Sequence, residues 1–252
     1  IPGYQADKAV AGGETVTPAD LNKVITVTYA PDVKDVTTVV HYIDEDQNNT
    51  VIFSSENLTG KEGTQIGYKS ANDLKALTDK GYVLDKNGYD PDGQIPNFDS
   101  KVSVYNIYLK HGVDHVTTET PGDGYKKEDL QKTVTTTVTY KDDKGNVLAQ
   151  PVTNTHTFTG EGYYDKVTGR LVNLNKDGSI KDQNGQITWS AEKTFDAIPA
   201  KDIPGYTFDQ VAIQSADSKL DVNKNTGAIG GQTMTPTTAD SVINVIYSKD
   251  IK

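Results

Sequence analysis

Lys132–Leu148 reads KTVTTTVTYKDDKGNVL. Thr133–Tyr140 has the period-two alternation of a half-buried strand. Asp142-Asp143-Lys144-Gly145 then supplies the short polar residues and the Gly of a hairpin connection. A second strand follows, and Phe158-Thr159-Gly160 ends the phrase. The same phrase occurs earlier as Val39–Asp46 and then Leu58-Thr59-Gly60. There the turn Asp44–Asn49 lacks a Gly but has Asn, which also tolerates left-handed backbone. Strand, acidic turn, strand and Thr-Gly, written twice, predict two β-rich domains on one plan.

Working outward, Ser70–Tyr82 predicts a helix. Ser70 or Asn72 caps it, Ala71, Leu74 and Leu77 share a face, and Gly81 stops it. A strand from Tyr82 and a closing strand over Val102–Lys110 follow. Hairpin, helix and two more strands describe a β-grasp (ubiquitin-like) arrangement, with the helix across one sheet face. Tyr105 and Tyr108 must lie on opposite faces of the closing strand, one in the core and one outside. The second half carries an extra hairpin turning at Lys176-Asp177-Gly178, and Pro199 and Pro204 bar a helix near them. It closes with strands over Tyr206–Ile213 and Ser241–Ser248. The fold class is mainly β (α+β), with two β-grasp domains in tandem that meet near His111–Asp114.

A longer repeat overlies this plan. Ile1-Pro2-Gly3-Tyr4 returns as Ile203-Pro204-Gly205-Tyr206. Gly12-Gly13-Glu14-Thr15-Val16-Thr17-Pro18 matches Gly230–Pro236, and Val24–Tyr29 matches Val242–Tyr247. A period of this length fits tandem multi-domain modules and is too long for a solenoid. The second copy holds extra residues in Gln214–Thr226, which reads as a surface loop. Residues 1–32 thus read as the tail of a preceding repeat. They are expected to lack a core of their own and to be ordered only by docking on the domain that follows. Residues 33–112 and 113–252 are the two domains.

Composition excludes several classes of function. The 252 residues include no Cys, so disulfides, thiol catalysis and Cys-based zinc sites are excluded. The four His fall in no metal-binding spacing. A formal net charge of −10 argues against nucleic acid and anionic membrane surfaces, which require a basic face. No apolar run is long enough to span a bilayer. No signal peptide is visible, so a secreted origin implies an interior segment of a longer chain.

The sequence resembles the mucus-binding (MucBP/Mub) repeats of cell-surface proteins from lactobacilli. The likeness rests on Val138-Thr139-Tyr140-x-Asp142-x-x-Gly145, Phe158-Thr159-Gly160, Trp189-Ser190, Thr194-Phe195-x-Ala197-Ile198-Pro199, Ile203–Tyr206 and the closing Val-x-Val-x-Tyr strand. It covers roughly residues 36–252, and its motifs are fold-forming apolar and turn residues. The resemblance implies an elongated rod of paired β-grasp-like domains in an array. It implies an extracellular location, anchored to the cell wall by another part of the parent protein. It also implies adhesion to host mucin glycans, binding of immunoglobulins by some members, contact with adjacent repeats, and no catalytic residues.

Candidate sites are few. Tyr163 and Tyr164 can stack on the C–H faces of sugar rings. Trp189 offers the same chemistry but reads as core, alongside Phe195 and Ile198. Asn173-x-Asn175-x-Asp177-Gly178 matches the start of a calcium loop, with a hairpin turn as the alternative; its twelfth position is Asn184, where a bidentate Glu is needed. Calcium is the one cofactor considered, and otherwise none is expected. Asp44-Glu45-Asp46 and Asp142-Asp143 read as solvated acidic turns, because neighbouring carboxylates cannot flank a glycosidic bond. The function expected is a non-enzymatic repeat module of a bacterial surface adhesin that binds mucin glycoproteins. The alternatives are an immunoglobulin-binding module and a structural spacer.

Overall fold

In the computed structural model, described for residues 1–13, 15–20, 22–215 and 220–251, the chain divides into two compact units, Ile1–His111 and Gly112–Lys252. The first contains β1 (Tyr4–Ala6), β2 (Tyr29–Pro31), β3 (Asp35–Asp44), β4 (Thr50–Ser54), β5 (Leu58–Lys61), α1 (Ala71–Thr78), β6 (Tyr82–Asn87) and β7 (Val104–His111).

In the first unit β3 buries alternate residues, Val36, Thr38, Val40 and Tyr42, as a one-face strand must. It pairs antiparallel with β4 and β5 and parallel with β7, and β6 lies beyond β7. Ile66, Leu77, Tyr89, Phe98, Ile107 and Leu109 fill the core against Val40 and Tyr42. The expected helix forms, but only Leu77 of its apolar face is buried, and Ala71 is exposed. Ser70 caps no helix N–H. Its hydroxyl donates instead to Asp90 Oδ1 at 2.5 Å. The buried phenol of Tyr42 shares a 2.7 Å hydrogen bond with Tyr68, and burial pushes its pKa up to about 12. Tyr105 packs on the core beside Tyr89, while Tyr108 lies on the other face, and both are half-buried. The turn after β3 uses left-handed Asn48 (φ 55°) and Asn49 (φ 56°).

The second unit holds β8 (Val113–Val116), β9 (Gln131–Asp142), β10 (Val147–Asp165), β11 (Arg170–Leu174), β12 (Ile180–Asp182), β13 (Thr188–Trp189), β14 (Lys193–Phe195), β15 (Tyr206–Ser215), β16 (Gln232–Met234) and β17 (Ser241–Lys249). β10 pairs antiparallel with β9, β9 lies parallel to β17, and β17 pairs with β15. This is the strand order of the first unit, with β10 in the place of β4 and β5. Where the first unit has its helix, the second has β11–β14. Val134, Thr136, Val138 and Tyr140 form the buried face of β9, as the alternation requires. Gly145 (φ 86°) turns the hairpin, with Asp142 accepting from the N–H groups of Lys144 and Asn146. The stretch expected as one surface loop is otherwise arranged. Gln214 and Ser215 belong to β15, Val222 forms a bridge with Ile229, and residues 216–219 lie outside the described residues.

Within residues 1–32, β1 and β2 repeat the first rungs of the closing ribbon of the second unit. Tyr4↔Pro31 and Ala6↔Tyr29 in β1–β2 stand at the repeat positions of Tyr206↔Lys249 and Phe208↔Tyr247 in β15–β17. The bond from Asp32 N–H to Gly3 O repeats that from Asp250 N–H to Gly205 O. The turn bond from Asp20 N–H to Thr17 O repeats that from Thr238 N–H to Thr235 O. β17 has β9 along its other edge, whereas β2 pairs with β1 alone among the described residues. No described side chain of this segment is buried.

Candidate functional site

The second half of β10 carries the aromatic residues singled out in the sequence. Its period-two alternation places Tyr163 and Tyr164 on opposite faces, so the two form no joint platform. Tyr163 is 41% exposed. Its ring stacks on His115 of β8, with centroids 4.9 Å apart and planes at 25°. His115 Nε2 lies 3.2 Å from Glu161 Oε2, two residues along the same face. Tyr164 is half-buried, edge-on to Tyr125 at 6.0 Å. Its ring fills the space that a side chain at Gly124 would need.

Trp189 sits opposite Gly160 in the β10–β13 ladder. A Cβ at Gly160 would stand 2.5 Å from Ile187 Cγ2 and 3.2 Å from the indole. The Gly of the repeated Thr-Gly phrase is therefore the floor on which the indole rests. Trp189 packs against the core of Val134, Phe158 and Met234, in keeping with its reading as core. It is nonetheless half-buried, and it lines a cleft of about 280 Å³ with Thr118, Thr159, Gly160, Glu161, Thr188 and Ser190. Lys132 Nζ lies 4.9 Å from the ring centroid. An indole wall with hydroxyls and a carboxylate is the chemistry that holds a sugar: apolar contact for C–H groups and acceptors for hydroxyls. Glu161 lines this cleft and also meets His115, but strand alternation puts Gly160 and the Trp189 ring on the face of β10 opposite Glu161 and Tyr163. A second cavity, of about 200 Å³, lies among Asp221, Gly230, Gln232, Thr235, Thr238 and Ser241 and has no aromatic wall.

The possible calcium ligands form a hairpin turn. Asn173 Nδ2 donates to Asp182 Oδ1 at 2.8 Å, and Asn175 Nδ2 donates to Ser179 Oγ at 3.0 Å. Asp177 Oδ1 accepts from Ser179 N–H and Oγ–H. The three side chains thus serve the β11–β12 connection and converge on no common point through these bonds. Asn184 N–H, and after it the Asn173 amide, hold the Asp182 carboxyl below its ordinary value of 3.8. With the native pKa lowered, this contribution to stability is present above the unfolded value. It is lost as pH falls through the native one. An NMR titration of Asp182 is expected to place its midpoint below 3.8.

The sequence missed a buried Asp–His hydrogen-bonded pair. Asp44 and His111 side chains are both 0% exposed, with His111 Nε2 2.9 Å from Asp44 Oδ2. Asp44 Oδ1 accepts from the N–H groups of Asp46 and Gln47, and His111 N–H donates to Asp46 Oδ2 at 2.7 Å. The reading of Asp44 as part of a solvated acidic turn is corrected here. Strand parity was the available signal: Asp44 continues the Val40–Tyr42 face, and His111 continues the Ile107–Leu109 face.

Two units with one strand order, the second bearing an aromatic cleft, define a mainly β protein of internally repeated architecture. Residues 125–251 match the model of the Muc B2-like domain, and residues 36–111 match that of a mucin binding domain. The chain belongs to the family of mucus-binding repeats, with a mucin binding domain followed by a Muc B2-like domain. Among solved structures it is similar to that described as Mub-RV, at 27% identity and a TM-score of 0.60, over 86% of this chain and 100% of that one. It also matches the type 2 repeat of the mucus binding protein MUB from Lactobacillus reuteri, at 24% identity and a TM-score of 0.46, over 85% of this chain and 100% of the other. No curated protein matches the chain significantly.

Proposed function

We propose that the chain is a non-enzymatic adhesion module of a bacterial surface protein, binding mucin glycoproteins through aromatic rings on the two faces of β10, Trp189 in its cleft and the exposed Tyr163. The observation that carries this reading is the half-buried indole on its Gly160 floor, in a cleft lined also by Thr, Ser and Glu residues, within a family named for mucin binding. The two units are read as β-grasp-like domains over 33–112 and 113–252, and residues 1–32 as the tail of a preceding repeat. The shared strand order supports the first reading and the matching ribbon registers support the second. The module acts outside the cell, as part of a cell-wall-anchored protein. Repetition along an array strengthens individually weak sites by raising effective concentration.

Immobilised mucin is expected to retain the full chain, and Tyr163→Ala is expected to weaken retention about ten-fold, the scale of one exposed aromatic anchor. Circular dichroism should be unchanged, because Tyr163 faces solvent. Binding no better than that of an unrelated β-domain would sink the reading. Retention unchanged in Tyr163→Ala would move the site elsewhere.

A further inference from the structure

We propose that Tyr163 is one end of a longer row, and that a linear, uncharged oligosaccharide lies along the outer face of β10 and β9. The inference rests on the adhesion reading above. It names the ligand that the Tyr163 face of β10 would take, while Trp189 belongs to the other face.

From Thr153 to Tyr163 the strand alternates without a break, and its odd-numbered residues are all exposed. They read Thr153, Thr155, Thr157, Thr159, Glu161 and Tyr163. At about 3.3 Å per residue the row spans about 33 Å, the length of a chain of sugars rather than of a single ring. On β9, Thr137 stands opposite Thr153, Thr135 opposite Thr155 and Thr133 opposite Thr157. The hydroxyls of Thr135 and Thr155 lie 3.2 Å apart, and those of Thr133 and Thr157 lie 2.9 Å apart. Each such bond spends a single O–H and a single lone pair. Every pair therefore still offers a donor and further acceptors, with methyl groups beside them. Hydroxyls set among methyl groups, with an aromatic ring at one end, meet both the O–H and the C–H groups of a glycan.

Strand propensity alone does not account for the row, because Val and Ile suit a strand as well as Thr does. In the first unit Val39 and His41 stand where β9 has Thr137 and Thr139. The charge of the face selects among glycans. Neither Lys nor Arg occurs among these residues of the two strands, and Glu161 is their one charged side chain. His115, stacked on Tyr163, already meets Glu161. On a chain of net charge −10 such a face repels an anionic sugar and accepts an uncharged one.

The probes are neutral and acidic oligosaccharide alditols released from mucin and sorted by length, read by amide shifts of the full chain. Neutral alditols are expected to bind about ten-fold more tightly as they lengthen from disaccharide to hexasaccharide, the scale of one or two further hydrogen bonds. Short ones should shift the amide of Tyr163, and long ones those of Thr155 and Thr157 as well. Thr155→Val with Thr157→Val should abolish the gain with length. Thr155→Ser with Thr157→Ser keeps the hydroxyls and should keep the gain. Val preserves the branched shape at exposed strand positions, so thermal unfolding should match the parent. Acidic alditols of equal length should bind several-fold more weakly. Affinity that does not rise with length overturns the row, and so does a gain that survives the Val variant. Tighter binding of the acidic alditols overturns the assignment to an uncharged glycan. A chain that mucin retains but no alditol shifts overturns the row alone, whereas a chain that neither engages overturns the adhesion reading with it.

Discussion

Asp44→Ala is expected to destabilise the Ile1–His111 unit by about 1–3 kcal/mol or more, the cost of leaving buried hydrogen-bond donors without their acceptor. Both side chains are excluded from solvent, and the pair is 2.9 Å apart. The carboxylate also receives the N–H groups of Asp46 and Gln47, so its loss strips the β3–β4 turn of its acceptor. Tyr82 adds its hydroxyl at 3.4 Å and meets the imidazole edge-on at 5.5 Å. Asp44→Asn keeps acceptor oxygen at the turn while removing the charge, and should cost less. Urea unfolding of the three proteins, with a double cycle through His111→Gln, separates the turn from the pair. Equal stability of Asp44→Ala and the parent would show that this pair holds nothing together.

Gly160→Val should cost about 1–3 kcal/mol or more, the usual penalty for overfilling a packed site. Its first carbon already stands 2.5 Å from Ile187 Cγ2, and the indole lies just beyond. The ring must lift or β13 must leave β10. Trp189 is the only Trp, so its emission reports the event directly: a red shift at neutral pH and an earlier thermal transition. Unchanged emission would mean the strand yields without disturbing the ring. Gly60 sits in the same relation to Phe98, whose ring occupies the place of a Cβ there. Gly60→Val should therefore weaken the first unit in the same way.

The comparison of these two glycines shows how far the sequence could be read. Thr59-Gly60 and Thr159-Gly160 were visible as an echo, but their cause lies in aromatic residues some thirty to forty positions away in sequence. Spacing cannot name such a partner. The strands were legible because alternation is local: Thr133–Tyr140 alone fixes which side of β9 is inside. Asn48 and Asn49 were legible as turn residues for the same reason. The helix face was only partly so, since Ala71 satisfies the periodicity yet meets nothing that buries it. Asp44 was misread because acidic composition outweighed strand parity. Tyr163 and Tyr164 were named as a pair although adjacent positions on a strand face apart. The Trp189 cleft required the long β10, whose second half brings Glu161 and Gly160 beside β13.

The parallel pairing of β3 with β7 has a mechanical meaning. The chain enters the ladder at the start of β3 and leaves it at the end of β7. Tension applied at Asp35 and His111 therefore pulls the two neighbours in opposite directions along their own axes. The evenly spaced ladder bonds are loaded together in shear, and cannot be opened one at a time from an end. Resistance of this kind is set by the rate of unfolding under load. A pull applied along this line would fall on the same strand order that closes the core.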